Sequence, residues 1–215
     1  MLLLNNIRPI PLLETPGGIS PVSHTFGQNL AFQKGKKYLV VAPSGRGKST
    51  LLHIIYGLRD DYKGSLIIDE KPVADFQQED WSALRQNKLS IIFQDLRLFP
   101  ELTAMENIQL KAQLTNYRTV EEIEKMALQL GVEDLLNKVA KNLSYGQRQR
   151  IAIIRALCQP FDFLLLDEPF SHLDDMNIKI ASDLIESEVN RQHAGLILVS
   201  LGEKYHFKYD TELLL

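Results

Sequence analysis

The chain has 215 residues, 45% of them hydrophobic, which is enough to fill one sizeable core with a subdomain attached. Its formal net charge of −3 at pH 7 lacks the basic excess that nucleic-acid-binding proteins usually carry. The single cysteine, Cys158, excludes an internal disulfide framework and is expected to be a buried apolar residue in a reducing compartment. The apolar runs are far shorter than the ~20 residues needed to span a bilayer, so we expect no direct membrane span. Because the basic excess is missing, we also expect no nucleic-acid partner.

The N-terminal region is predicted to form short strands and turns of an antiparallel sheet. Residues 1–35 contain short apolar segments that are interrupted by Pro9, Pro11, Pro16, Gly17, Gly18 and Pro21. Tyr38 to Ala42 is a continuous apolar run, which is typical of a strand buried on both faces. Helical spacing follows from Ser49 to Leu58, and further short strands are predicted at residues 65–69 and 90–93.

Residues 95–142 are predicted to be a helical insert without strands. Thr103 has Glu106 three residues on, which is the capping-box pattern of a helix start. Thr119 and Glu122 repeat this pattern before a second amphipathic segment. The sequence therefore predicts a helical subdomain here.

After Asn142 the sequence again alternates between helices and strands. Helices are predicted at residues 146–158 and 175–192, and strands at residues 163–167, 195–200 and 211–215. Such alternation with apolar strands indicates an α/β fold with a parallel sheet. The predicted organisation is one domain over residues 1–215, with a core of residues 1–94 and 143–215 and a helical subdomain of residues 95–142.

The segment APSGRGKST follows a buried strand and opens a helix, which is the context of a phosphate-binding loop. Its glycines allow the backbone to fold around an anion, and the helix N-terminus adds partial positive charge. Lys48 is expected to reach the β- and γ-phosphates of a nucleotide, and Ser49 to offer its hydroxyl to Mg²⁺. The predicted nucleotide-binding residues of the loop are Ala42, Pro43, Ser44, Gly45, Arg46, Gly47, Lys48, Ser49 and Thr50.

Ala42 stands where the phosphate-loop pattern usually begins with glycine. A left-handed backbone at this position would cost an alanine on the order of 1 kcal/mol, whereas a negative φ would cost little. Because Gly47, Lys48 and Ser49 all match the pattern, we retain the assignment.

A pair of carboxylates follows the predicted strand FLLLD. Asp167 comes at its carboxyl end, the edge at which open α/β sheets bind ligands, and a carboxylate there suits Mg²⁺. Glu168 follows at once and is predicted to orient or deprotonate the water that attacks the γ-phosphate. Pro169 ends the strand.

With these motifs and the segment LSYGQRQR, the chain resembles the ATP-binding subunits of ABC transporters over nearly its whole length. LSYGQ is similar to the family's signature, with Tyr145 where glycine is commonest. In the family this segment lies at a helix N-terminus and contacts the γ-phosphate of ATP held by the other subunit. The resemblance implies that Ser144, Gly146 and Gln147 contact ATP, and a helix start is a suitable anion site.

Two further segments match family motifs. SIIFQD resembles the Q-loop, which implies that Gln94 contacts Mg²⁺ or the attacking water, and SHLDD resembles the D-loop, with Asp174 acting across a dimer interface. The stretch FQDLRLFPELTAMENI is similar to transporters of the lipoprotein-release and macrolide-efflux type and to the related cell-division ATPase. The residues expected to act in catalysis are Lys48, Gln94 and Glu168, and those expected to hold Mg²⁺ are Ser49, Gln94 and Asp167.

Two positions depart from the family pattern. The aromatic residue that stacks on adenine in the family would fall near Ile19, and no aromatic residue precedes Phe26. Because base stacking is worth ~1–3 kcal/mol, we expect reduced affinity or base selectivity. In the family the strand matching residues 195–200 leads to a histidine that touches the γ-phosphate, and here Leu201 holds its place, with His206 too far along the chain to substitute. We expect slow hydrolysis and a leucine that packs against its neighbours.

The resemblance implies a P-loop NTPase fold of the RecA-like type and an ATP-hydrolysing subunit that powers a membrane ABC transporter. Two copies would pair head-to-tail, sandwich ATP and Mg²⁺, and dock on transmembrane permease subunits, with the insert near Gln94 receiving the partner's helix. ATP binding would close the dimer and hydrolysis would open it. The implied location is peripheral, on the cytoplasmic face of the inner (cell) membrane.

Two alternatives stay open at this point. One is an ABC ATPase that acts on DNA or ribosomes, although such proteins need long coiled coils or a second cassette. The other is a nucleotide switch that binds ATP, hardly hydrolyses it, and drives a membrane complex by dimer closure alone. Leu201 favours the switch, whereas Glu168 favours hydrolysis.

Overall fold

The structure, a computed structural model, describes residues 1–15 and 18–215; the predicted turn at Pro16 and Gly17 lies outside the described residues. The strands in chain order are β1 (Leu2–Pro9), β2 (Asn29–Phe32), β3 (Lys37–Val41), β4 (Tyr62–Ile68), β5 (Lys71–Pro72), β6 (Leu89–Ile92), β7 (Phe163–Asp167), β8 (Gly195–Ser200) and β9 (Thr211–Leu214). The α-helices are α1 (Ile10–Leu13), α2 (Lys48–Ile55), α3 (Gln78–Asn87), α4 (Ala104–Thr115), α5 (Val120–Gln129), α6 (Tyr145–Leu157) and α7 (Asp175–Arg191).

A parallel sheet with the strand order β6-β7-β8-β3-β9 forms the centre of the molecule. Every neighbouring pair of its strands is parallel. All residues of β6, β7 and β8 are buried, because helices cover the sheet: α2 packs against β7 and β8, and α6 against β6. The predicted parallel α/β sheet is confirmed.

An antiparallel sheet with the strand order β2-β1-β4-β5 lies beside it, as predicted for the N-terminal region. Its apolar side chains Leu2, Leu4 and Ile7 are buried and join a hydrophobic core with α2 and one face of the parallel sheet. β1 is one strand of eight residues rather than several short pieces, and it ends at Pro9. Its pairing with β4 shifts in register between Asn5 and Arg8, so a bulge absorbs the irregular sequence there.

The segment of residues 95–142, described throughout, contains α4, α5 and short 3₁₀ turns but no strand. The hydroxyl of Thr103 accepts a hydrogen bond from the backbone of Glu106, and Thr119 does the same with Glu122, so both predicted capping boxes are present. Helix α4 packs against α6, which attaches the segment to the sheet. The domain limits that we place at residues 94 and 142 stay a prediction.

Helix α3 is not predicted from the sequence. Leu84 is its one buried residue, so the helix has a weak apolar periodicity. The helix begins with a capping box between Gln77 and Asp80, and this is the sequence feature that could have indicated its start.

The candidate site residues meet at one edge because the strands that carry them are parallel neighbours. β3 leads into Ala42, whose N–H donates to the carbonyl of Ser200 at the end of β8 (3.2 Å). Glu168 directly follows β7, and its N–H donates to Val199 of β8 (3.2 Å). β6 pairs with β7 and leads into Gln94. The carboxyl ends of four neighbouring strands thus build the site.

The structure also bears on two sequence-based expectations, which concern membrane-spanning helices and Cys158. In the part of the chain that the structure describes, no helix combines the length and the apolar character needed to cross a membrane. Cys158 is fully buried, as expected, and burial raises the pKa of its thiol to about 12. It is therefore a structural residue rather than a reactive one.

Candidate nucleotide-binding site

The predicted phosphate loop, residues 42–50, turns between β3 and α2. Gly45 and Gly47 have φ angles of 75° and 95°, left-handed values that glycine adopts without the steric cost other residues incur. Gly47 is the N-cap of α2, so the unpaired N–H groups of the first helical turn belong to this loop. Ala42 is not among the described residues with a positive φ, and alanine therefore costs little at this position.

The ammonium group of Lys48 lies buried inside the phosphate loop. The side chain is only 6% exposed, and Nζ donates to the carbonyls of Ala42 (3.0 Å) and Pro43 (3.2 Å). An oxygen of the Glu168 carboxylate lies 3.3 Å from the same Nζ. A negative group therefore already accompanies the lysine, and a phosphate group of a nucleotide suits the same position.

Asp167 ends β7 with its carboxyl group buried next to Ser49. Burial raises the pKa of this carboxyl, a hydrogen bond with Ser49 lowers it, and the charge of Glu168 raises it further. Its Oδ1 has no hydrogen-bond partner among the described residues, which is costly for a buried oxygen. Hydroxyl and carboxylate oxygens are ligands that Mg²⁺ prefers, so the unpartnered oxygen beside Ser49 fits this ion.

Glu168 has a left-handed backbone, with φ of 46°. Such a conformation costs a residue other than glycine on the order of 1–3 kcal/mol and is found mainly where the surrounding structure enforces it. Here the hydrogen bond from its N–H to Val199 fixes the backbone, and the side chain extends to Lys48. The strain therefore coincides with the placement of the predicted catalytic carboxylate.

Two adjoining clefts open at this edge of the sheet. The smaller, of about 260 Å³, is lined by Leu12, Ser44, Gly45, Gly47, Lys48, Ser49, Thr50, Gln94, Glu168 and Leu201. The larger, of about 410 Å³, is lined by Ser49, His53, Phe93, Gln94, Asp95, Arg97, Tyr145 and Asp167. Ser49 and Gln94 line both clefts, so the structure brings the predicted catalytic and metal-binding residues together around two neighbouring clefts.

The signature segment begins α6. Ser144 is the N-cap: its Oγ accepts from the N–H of Gln147 (3.2 Å), and the Gln147 side chain accepts from the N–H of Ser144 (2.9 Å). A Cβ on Gly146 would lie 3.0 Å from the carbonyl oxygen of His172, so glycine lets the two segments approach. Asp174 is the N-cap of α7. Neither Ser144, Gly146 nor Gln147 lines the two clefts of its own chain.

Leu201 directly follows β8 and lines the smaller cleft together with the phosphate loop. Its side chain is 50% exposed, so the expectation that it packs among its neighbours is wrong. The cause is local: Gly202 has φ of 135° and donates to the hydroxyl of Ser200, so the chain turns immediately after the strand. His206 lines neither cleft.

The structure does not bring Phe26 to the surface of the smaller cleft, which is lined by the aliphatic side chain of Leu12. Phe26 is 2% exposed and lies against Gly47, where an added Cβ would stand 2.9 Å from its ring. Leu12 of α1 contacts the same glycine position and lines the cleft. The position of Leu12 in the cleft is not predicted from the sequence, because no motif marks this residue. Tyr145 lines the larger cleft and is not predicted as a site residue. The sequence feature that could have identified it is that a tyrosine replaces the glycine common in the family.

Known proteins with similar sequences are ATP-binding subunits. A sequence model of the ABC transporter family matches residues 26–171. The lipoprotein-releasing system ATP-binding protein LolD of Legionella pneumophila (strain Lens) is 31% identical over 201 residues, which are 92% of this chain and 88% of the relative. The thiamine import ATP-binding protein ThiQ of Histophilus somni is 35% identical over 175 residues, 80% of this chain and 79% of the relative.

Solved cassette structures have the same fold. The dimeric structure of MJ0796, a bacterial ABC transporter cassette, aligns with a TM-score of 0.76 at 30% identity and covers 94% of this chain and 88% of that one. Its post-hydrolysis state bound to ADP and Pi aligns with a TM-score of 0.76 at 30% identity over 93% and 88%. The predicted P-loop NTPase fold is confirmed. Since the family model covers more than half of its length, the chain belongs to the ABC transporter family as an ATP-binding cassette.

Proposed function

We propose that this cassette hydrolyses ATP between two copies of the chain and so drives membrane-spanning transporter subunits. The observation that carries the proposal is the convergence of Lys48, Ser49, Gln94, Asp167 and Glu168 on two neighbouring clefts. The similar cassette MJ0796 is dimeric and has been captured with ADP and Pi, which supports the same chemistry here.

The phosphates of ATP would bind in the loop of residues 42–50. The N–H groups at the start of α2 and the Lys48 ammonium supply the positive potential, and Leu12 offers an apolar contact towards the base. Phosphate oxygens would replace the Glu168 carboxylate as the partner of Lys48. ATP binding therefore releases Glu168 from its ion pair at the moment when a base is needed.

Ser49 and Asp167 are the residues we assign to Mg²⁺, together with Gln94, which lines the larger cleft with both of them. When bound, this ion neutralises charge on the phosphate oxygens. Gln94 then orients the attacking water, and Glu168 accepts its proton. Lys48 stabilises the negative charge that develops on the transferred phosphoryl group.

A second copy of the chain would complete each site. Ser144 is exposed at the N-terminus of α6, where N–H groups attract anions, yet it does not line its own chain's clefts. In a head-to-tail dimer this segment, with Gly146 and Gln147, meets the γ-phosphate held by the partner subunit. Asp174 lies at the start of α7 and acts across the same interface. Contacts with the γ-phosphate then favour the closed dimer.

A groove between the core and the proposed helical subdomain is suited to a membrane partner. It has a volume of about 190 Å³ and runs from Tyr56 and Phe93 to α4. Phe99, Leu110 and Leu114 line it although 56%, 43% and 53% of their surfaces are exposed. Such apolar side chains on one surface are typical of a docking site.

The charges in this groove indicate the chemistry of the partner. Lys111, Arg97 and Arg155 line it, and Asp95 is the acidic residue paired with Arg97. Lys111 has no ion pair among the described residues, and burial together with Arg155 and Arg85 lowers its pKa to about 8. The occupant we propose is a helix of a membrane-spanning subunit that presents an acidic side chain to Lys111.

The relatives named above serve different substrates, since one belongs to a lipoprotein-releasing system and another to thiamine import. We therefore assign the choice of substrate and the direction of transport to the membrane partner. We place the cassette peripherally on the cytoplasmic face of the inner membrane, where ATP is available. The core would consist of residues 1–94 and 143–215, and the helical subdomain of residues 95–142.

A second candidate function is a nucleotide switch that closes on ATP and hydrolyses it very slowly. The observation that favours it is Leu201, an aliphatic side chain in the cleft that holds Lys48 and Glu168. Single-turnover hydrolysis separates the two functions, because a switch releases almost no phosphate in one closure.

Lys48→Ala should weaken ATP binding at least tenfold, because hydrogen bonds to charged groups contribute about 1.5–3 kcal/mol. Equilibrium titration with a fluorescent ATP analogue measures this. Lys63→Ala, which removes an exposed lysine of β4, is the matched control and should bind normally. Equal affinity of Lys48→Ala and the unaltered chain would contradict the phosphate-loop assignment.

Glu168→Gln should keep or strengthen ATP binding and accumulate a closed dimer with ATP and Mg²⁺. The amide no longer competes for Lys48 and cannot accept the proton from water. Size-exclusion chromatography with light scattering gives the mass, and Glu124→Gln on the exposed side of α5 is the control. A Glu168→Gln chain that stays monomeric and continues to turn over ATP would refute the role of Glu168.

Leu201→His should raise single-turnover hydrolysis, by about tenfold or more, because removing one polar group aimed at developing charge typically costs ~10²–10³ in rate. Since Leu201 is half exposed, an imidazole fits without being buried unpaired. Leu201→Ala removes the same side chain without adding a donor and should give no gain. The prediction is contradicted if the unaltered chain already hydrolyses ATP as fast as other cassettes and both variants are slower. In that case the absence of a histidine at position 201 does not limit the rate of hydrolysis.

Lys111→Glu should reduce co-purification with the membrane-spanning subunit by about tenfold or more, because like charges brought together at an interface cost several kcal/mol. The measurement is the stoichiometry of the detergent-solubilised complex, with the membrane subunit identified by mass spectrometry. Lys125→Glu makes the same charge reversal on α5, outside the groove, and should leave the stoichiometry unchanged. An unaltered complex with Lys111→Glu would refute the proposed docking contact.

A further inference from the structure

Tyr145 makes contacts that the glycine common at this position of the family signature cannot make. Its phenol O–H donates to the backbone carbonyl of Gln94, with 2.6 Å between the oxygens. Its ring lies on the imidazole of His172, with 4.0 Å between the ring centroids. Tyr145 also lines the larger cleft together with Ser49 and Asp167. It therefore connects the signature helix to residues 93–97, here called the Gln94 loop, and to the segment that follows Glu168.

The Gln94 loop needs such support because its backbone is strained. Leu96 and Arg97 have φ angles of 60° and 46°, a left-handed conformation at consecutive non-glycine residues. The Arg155 side chain donates to the carbonyls of both residues. Arg155 lies near the C-terminal end of α6 and Tyr145 is its first residue, so both ends of this helix contact the Gln94 loop.

The other contact of Tyr145 reaches the segment after the predicted catalytic carboxylate. His172 lies four residues beyond Glu168, and its Nδ1 is 2.9 Å from the hydroxyl of Ser171. The backbone of His172 also approaches Gly146 closely. The Tyr145 ring therefore packs on an imidazole that is itself hydrogen-bonded to Ser171, while the phenol O–H reaches the Gln94 carbonyl.

We propose that Tyr145 is a positioning residue that keeps Gln94 in place beside Ser49 and Asp167 on the metal-binding side of the clefts. This inference rests on the proposed role of Gln94 and deepens it. Tyr145 acts through the backbone of Gln94, to which its O–H donates. Without the O–H, the Gln94 backbone loses this hydrogen bond while the Arg155 bonds and the Asp95–Arg97 ion pair stay, and the Gln94 amide samples positions away from the ion.

The test is Tyr145→Phe, which removes the O–H and keeps the ring on His172. Single-turnover hydrolysis by the purified 215-residue chain should fall about 2- to 10-fold, the range expected for losing one neutral hydrogen bond. The Mg²⁺ concentration that gives half-maximal binding of a fluorescent ATP analogue should rise by a similar factor. Binding of the analogue in EDTA should be unchanged, because the phosphate loop is intact. A general structural defect would weaken both kinds of binding.

A matched control is Tyr209→Phe, which also loses one phenol-to-carbonyl hydrogen bond, that to Lys204 (2.9 Å), without touching either cleft. It should hydrolyse ATP normally. In a Gln94→Ala background, Tyr145→Phe should have no further effect on rate or Mg²⁺ dependence, because the group that it positions is gone.

The outcomes separate this inference from the function on which it rests. If Gln94→Ala slows hydrolysis but Tyr145→Phe changes neither rate nor Mg²⁺ dependence, the positioning role is overturned while the proposed function stands. If Gln94→Ala has no effect, the role of Gln94 and this inference fail together. Additive losses in the double variant would also overturn the inference, because Tyr145 would then act independently of Gln94.

Discussion

The buried ammonium group of Lys48 is the constraint on which the rest of the site depends. A cation that is 6% exposed needs several acceptors, and the structure supplies the carbonyls of Ala42 and Pro43 and the carboxylate of Glu168. Carbonyls alone leave the positive charge uncompensated, so an anion must always be present. In this structure that anion is Glu168, so the phosphate loop and the carboxylate that follows β7 are electrostatically coupled.

The parallel sheet makes this arrangement possible by bringing distant parts of the chain to one edge. Glu168 can approach Lys48 because β7 and β3 both pair with β8, and backbone bonds to Val199 and Ser200 tie their ends to it. The cost is the left-handed backbone of Glu168, which the buried strands on either side enforce. The packing of the apolar core thus stabilises the strained backbone of Glu168 and its ion pair with Lys48 at the edge of the sheet.

The sequence was sufficient to predict both sheets, the helical segment and several residues that line the two clefts, because each depends on local patterns. Gly45 and Gly47 are needed for left-handed turns, and Asp167 ends an apolar strand. The sequence was insufficient where tertiary contacts determine the position of a side chain. Leu201 is exposed because the chain turns at the next glycine, and Leu12 reaches the cleft by packing against the loop. No periodicity or motif specifies such contacts.

Two departures from the family pattern, Leu201 and Tyr145, each line one of the two clefts. Leu201 places an aliphatic side chain in the cleft that holds Lys48 and Glu168, whereas Tyr145 adds a hydrogen bond to the backbone of Gln94. A site that loses an electrostatic contribution gains more from accurate placement of the remaining groups, since catalysis depends on groups held ready for the transition state. We therefore propose that the Tyr145 contact compensates for the aliphatic side chain of Leu201, because it restrains Gln94, one of the polar groups that remain in the clefts.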